Sequence, residues 1–115
     1  MEILLVEDSE DDIVLEQEAL AEAKLVNVMS VVRDGEEAMA FLRHEGKYQS
    51  AQTPGLILLD INMPKKNGFE VLKELKADPA LMHIPVVMLT TSDNEADIVK
   101  SYAKGACSYI TKPMD

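Results

Sequence analysis

The sequence has few cysteines, few basic residues and no long apolar run. Its single cysteine, Cys107, excludes an intramolecular disulfide and any cage of cysteine ligands. No stretch approaches the roughly 20 apolar residues that span a bilayer. Lys and Arg total 11 against 21 Asp and Glu, a net charge of −10, so the surface repels nucleic-acid phosphates and anionic lipid. No nucleic-acid or membrane partner is therefore expected. The opening MEILLVED has no basic segment or cleavage site. A secretory leader is not expected, and the cytoplasm is the default compartment. Internal repeats, low-complexity tracts and linkers are lacking too. At 115 residues and 47% apolar content, the chain reads as one domain, 1–115, able to bury a real core.

Short apolar runs alternate with helical stretches. ILLV (3–6), NVMSVVR (27–33), LILL (56–59), VVML (86–89) and the 107–111 segment read as strands. Helices are expected from Ser9 to about Lys24, over 36–44, over 69–77 and over 95–104. In the first, Leu15, Ala19 and Ala23 fall at i, i+4 and i+8, with Leu20 widening the stripe. Asp34 and Gly35 read as a turn, Gly46 as the end of the second helix, and 46–55 as a polar connection. Runs apolar on both faces suit a parallel sheet covered by helices on both sides, an α/β doubly wound fold.

The polar residues gather where such a sheet binds ligands, outside the carboxyl ends of its strands. Glu7 and Asp8 follow the first strand, Asp60 ends the third, Thr90 the fourth, and Lys112 follows the fifth. Three carboxylates repel one another unless a cation neutralises them. Oxygen ligands without His or Cys suit a hard ion, Mg²⁺. A lysine and a threonine opposite suit a phosphoryl group, and a carboxylate nucleophile beside a hard cation is the equipment for an aspartyl phosphate. Taken singly, each is bland: adjacent acids are ordinarily solvated, and an Asp after a strand is ordinarily a turn former. His44 and His83 lack ligand spacing and read as surface residues. Cys107 reads as a core thiol and the seven Met residues as core filler.

The segments LLVEDS (4–9), LLDINMPKKNG (58–68), PVVMLTTS (85–92) and SYITKP (108–113) resemble, in order and over the whole chain, a CheY-like response-regulator receiver domain of two-component signalling. FLRHEGKY (41–48) and ITKPMD (110–115) are similar to the small stand-alone receivers paired with bacterial phytochromes. The resemblance implies a flavodoxin-like sheet in the order 2-1-3-4-5. It implies Asp60 as phosphoacceptor, with Mg²⁺ held by Asp8, Asp60, the Asn62 carbonyl, and Glu7 either directly or through water. Thr90 would hydrogen-bond the phosphoryl group, Lys112 would pair with it beside a cis peptide before Pro113, and Tyr109 would be the switch aromatic. Asn62 and Ser92 would tune hydrolysis.

Three departures stand out. Glu7 replaces the commoner Asp. Thr91 is larger than the Ala or Gly often found there and narrows access to the phosphoryl group. The usual fifth helix is missing after Lys112-Pro113. Its absence predicts a bare sheet face on the first and fifth strands, and with it either marginal stability or self-association, as a homodimer, through that face. The implied partners are a sensor histidine kinase, phytochrome-like, and a downstream protein target. The chemistry is self-phosphorylation and autodephosphorylation only, so the chain is not an enzyme in the turnover sense. The rival readings are an unphosphorylated interaction module and a small aspartyl-phosphate phosphatase. The latter class places an acid two residues after its nucleophile, where this chain has Asn62.

Overall fold

The structure is a computed structural model that describes residues 2–23, 28–61, 63, 66–90 and 108–111. In chain order the elements are β1 (Glu2–Val6), α1 (Glu10–Ala23), β2 (Val28–Val32), α2 (Gly35–Leu42), a 3-10 turn (Gly46–Tyr48), β3 (Leu56–Asp60), α3 (Gly68–Ala77), β4 (Val86–Thr90) and β5 (Ser108–Thr111). The strands form one parallel sheet in the order β2-β1-β3-β4-β5, as the resemblance implies. The expected helix over 95–104, the Lys112–Pro113 peptide and Cys107 lie outside the described residues.

Strand alternation divides the core into two layers. Leu4, Val6, Ile57, Leu59, Val86 and Met88 face α2 and α3, meeting Ala38, Phe41 and Leu42 from the first helix and Val71, Leu72 and Leu75 from the second. Ile3, Leu5, Leu58 and Leu89 face the other way, onto Ile13 of α1. The central strands are buried on both faces, which is why their sequences are apolar without alternation.

Helix α1 lies differently from the expected stripe. Ile13 and Glu16 are buried and Leu20 half-buried, whereas Leu15 is half-buried and Ala19 exposed. The helix meets the sheet through positions i, i+3 and i+7, because the bulk of Ile13 and Leu20 outweighs that of alanine. Glu16, only 3% exposed, occupies the middle of that buried face, which an apolar template skips. Nor is β1 bare: Ile3 and Leu5 are 3% and 0% exposed. Its large side chains are covered by the packing just described, which removes the burial argument for marginal stability at that strand. The side chains of β5 lie outside the description.

The second helix also starts and stops earlier than the periodicity suggests. Asp34 is its N-cap, its carboxylate accepting from the Glu37 amide at 2.8 Å, and Gly35 is the first helical residue rather than a turn. The helix ends at Leu42 because His44 itself takes the left-handed conformation, φ 57°, two residues before Gly46. His44 is half-buried rather than a plain surface residue, its Nε2 lying 3.3 Å from Thr53 Oγ1. The polar connection that follows is anchored. The Tyr48 ring lies 5.1 Å from Phe41, and its hydroxyl donates to Glu37. Burial, then that hydrogen bond and the charges of Glu37 and Asp34, keep the phenol protonated beyond its ordinary range.

Helix α3 carries a full capping box. Asn67 accepts from the Glu70 amide at 3.0 Å while Glu70 accepts from the Asn67 amide at 3.3 Å. Asn67→Ala is expected to cost about 1 kcal/mol. Urea unfolding should show a lower midpoint at an unchanged slope.

Candidate functional site

The pairing of β1 with β3 sets two acids side by side. Val6 pairs with Leu59, so Glu7 and Asp60 follow as neighbours at the carboxyl edge. The Glu7 amide donates to Val32 O at 3.0 Å and the Ile61 amide to Leu89 O at 3.0 Å, extending the ladder past both acids. Asp8 comes next, and Ser9 then caps α1, its Oγ accepting from the Asp12 amide at 3.4 Å. Only three residues separate the end of β1 from the start of α1, which leaves Glu7 and Asp8 at the edge.

Oxygens of Glu7, Asp8 and Asp60 lie within 4.8 Å of one another. Glu7 is 0% and Asp60 2% exposed, while Asp8 faces solvent. Glu7 Oε2 accepts the Ser9 amide at 3.3 Å. Two buried carboxylates and a third at the rim concentrate negative charge where water screens it least. An all-oxygen set of this kind, open on one side, fits a hard divalent cation that keeps part of its water. Among the described residues no other group of three or more His, Cys, Asp and Glu side chains converges in this way. Two ion pairs involve residues near these strand ends in sequence. Arg33, just beyond β2, binds Glu10 at 2.5 Å with both side chains exposed, and Lys66 binds Glu74 with both partly shielded.

The other expected site residues sit as follows. Asp60 pairs with Leu89, which brings Thr90 to the same edge one residue further along β4, and Thr90 pairs with Thr111 of β5. Tyr109 pairs with Met88. The side chains of Thr90 and Tyr109, and Asn62, Thr91, Ser92 and Lys112 altogether, lie outside the described residues.

Two glycines that form no phosphate cradle nevertheless shape the site. A Cβ on Gly68 would fall 2.3 Å from Asp60 O and 2.8 Å from Ile61 Cα, so α3 starts directly against the backbone of the acid. A Cβ on Gly35 would fall 2.6 Å from Lys66 O, so α2 starts against the β3–α3 loop. Glycine after Asn67 and after Asp34 was the available signal, and it marks close backbone approach here rather than a turn.

The family profile described as the response regulator receiver domain matches residues 3–115. The response regulator Rcp1 of Synechocystis sp. is 51% identical over 110 residues, which cover 96% of this chain and 75% of that one. Among solved structures, the phosphorylated cyanobacterial phytochrome response regulator RcpA aligns at 55% identity with a TM-score of 0.90, covering 99% of this chain and 81% of that one. The Mn²⁺-bound form of Rcp1 aligns at 49% identity and a TM-score of 0.88, covering 99% and 82%.

Proposed function

Because this chain belongs to the response regulator receiver domain family, a phosphoacceptor family of two-component signalling, we propose that Asp60 is the residue that takes the phosphoryl group. The observation that carries this is the convergence of Glu7, Asp8 and Asp60 within 4.8 Å at the carboxyl edge of the sheet. Receiver domains act as response regulators rather than turnover enzymes. A phosphatase reading gains nothing from Asn62, whose amide cannot serve as a general acid.

The donor is a phosphohistidine on a sensor histidine kinase. Relatives named as phytochrome response regulators, RcpA among them, favour a kinase of phytochrome type. A carboxylate oxygen of Asp60 attacks phosphorus in line. The P–N bond breaks, its electron pair leaves with the imidazole, which is protonated, and an acyl phosphate remains. Mg²⁺, when bound, offsets the charge on the transferring phosphoryl oxygens. Asp8 and Asp60 would hold it, with Glu7 and the Asn62 carbonyl completing the set. Thr90 and Lys112 hold the phosphoryl oxygens, and Thr90 draws Tyr109 with it, giving two packings that a downstream protein distinguishes. Water later cleaves the acyl phosphate at a rate tuned by Asn62, Thr91 and Ser92.

The test is Mg²⁺-dependent labelling by acetyl phosphate, at one phosphoryl group per chain and abolished by chelation. Labelling that ignores the metal would contradict the proposal. The ligand ranking follows from reach. Asp8 is short and faces solvent, whereas Glu7 has one oxygen on the Ser9 amide and a longer arm that a water can extend. Asp8→Asn is expected to weaken Mg²⁺ binding about tenfold or more, and Glu7→Gln less. Calorimetric titration of the two variants checks the order, and a larger loss in Glu7→Gln reverses it.

A further inference from the structure

The loop that leaves Asp60 is held at three points. At its neck, the Gly68 amide donates to Ile61 O at 2.8 Å. At its far arm, Gly35 of α2 lies against Lys66, since a Cβ there would meet Lys66 O at 2.6 Å and Lys66 Cβ at 2.7 Å. From the same residue, the Lys66 ammonium reaches Glu74, two turns into α3, and binds its carboxylate. The two side chains are 25% and 35% exposed, so the pair is partly shielded from water. Lys66 thus lies with its backbone close against the start of α2 and its side chain paired to α3, the helix whose first residue rests on the Asp60 carbonyl.

We propose that Lys66 is a positioning residue, tethered by Glu74, that fixes the chain where it enters α3 beside Asp60 and so sets how Asp60 meets its cation. The inference rests on the reading of Asp60 as the metal-assisted acceptor. Its content is a sign that simple electrostatics does not give. If Lys66 acted only through its charge, Lys66→Ala would tighten Mg²⁺ binding and Glu74→Ala would weaken it. If the pair positions the entry to α3, either loss leaves fewer conformers competent, and both variants bind more weakly.

The experiment is calorimetric titration with MgCl₂ of the wild type, Lys66→Ala, Glu74→Ala, the double variant, and the reversed pair Lys66→Glu/Glu74→Lys. Melting temperatures are read in parallel. Each single variant is expected to lose about three- to tenfold in affinity, the double variant no more than either single, and the reversed pair to regain most of it. Tighter binding by Lys66→Ala, affinities within about twofold of wild type, or additive losses would overturn the proposal, even where the melting temperature falls. A wild-type chain that takes Mg²⁺ normally beside unaffected variants overturns this inference alone. A wild-type chain that takes none overturns it together with the reading of the site.

Discussion

Asp60→Asn is expected to reduce phosphoryl incorporation to background, a loss of at least about a thousandfold, because the amide has no oxygen that can form a stable acyl phosphate. The substitution keeps the volume at a position that is 2% exposed and leaves the packing of β3 on β1 and β4 in place. It replaces one of three crowded charges by a neutral group. In Mg²⁺-free buffer the variant should therefore melt no lower than the wild type, while its Mg²⁺ affinity falls with the lost ligand. Radiolabelled acetyl phosphate and a thermal melt separate the two effects. Stoichiometric labelling in the variant, stable to the same treatment as in the wild type, would move the acceptor elsewhere.

Gly68→Ala is expected to give the largest loss of stability for one added methyl group. The new Cβ would meet Asp60 O at 2.3 Å, Ile61 Cα at 2.8 Å and Asp60 C at 3.0 Å, all backbone atoms that no rotamer change can move. Relief requires the start of α3 to retreat from the end of β3, against the packing of Val71, Leu72 and Leu75 in the core. Overpacking of this kind costs about 2–4 kcal/mol, which lowers the melting temperature by roughly 10 °C or more. Because the displaced atoms belong to Asp60 itself, the labelling rate should fall as well, by about tenfold or more. Gly46→Ala is the control. It meets nothing within 4 Å and strains only its φ of +58°, so it should cost about 1 kcal/mol and leave labelling unchanged. Equal effects at the two positions would show that the Gly68 contact is relieved at little cost.

Much of this was legible in the residues. The runs at 3–6, 56–59 and 86–89 are apolar on both faces because their strands are buried on both faces, and they place Glu7, Asp60 and Thr90 at one edge by position alone. The convergence of the acids was legible for the same reason: each follows a strand, and parallel strands end on the same side. What pattern-reading missed lies in backbone conformation and in contacts that spacing does not show. Glu16 lies on the buried face of α1, where apolar periodicity looks only for hydrophobic residues. His44 ends α2 by taking a left-handed conformation that glycine takes more readily, so Gly46 was the stronger signal and the wrong one. Gly35 reads as a turn, yet it is required by the close approach of Lys66, and Gly68 by the backbone of Asp60 itself, which spacing does not reveal. The tether from Lys66 to Glu74 is an ordinary pair of charges in the sequence, and only the place of Lys66 between α2 and α3 gives it meaning.

The central claim is that Asp60 carries the phosphoryl group, and the most direct measurement is chemical location of the bond. Borohydride reduction of the acetyl phosphate-treated protein converts an aspartyl phosphate to homoserine, which peptide mass spectrometry reads residue by residue. Homoserine at position 60 alone, formed only when Mg²⁺ was present, is the expected result. Homoserine at position 8, 34 or 78, or an unreduced chain that nonetheless carries phosphate, would contradict the account.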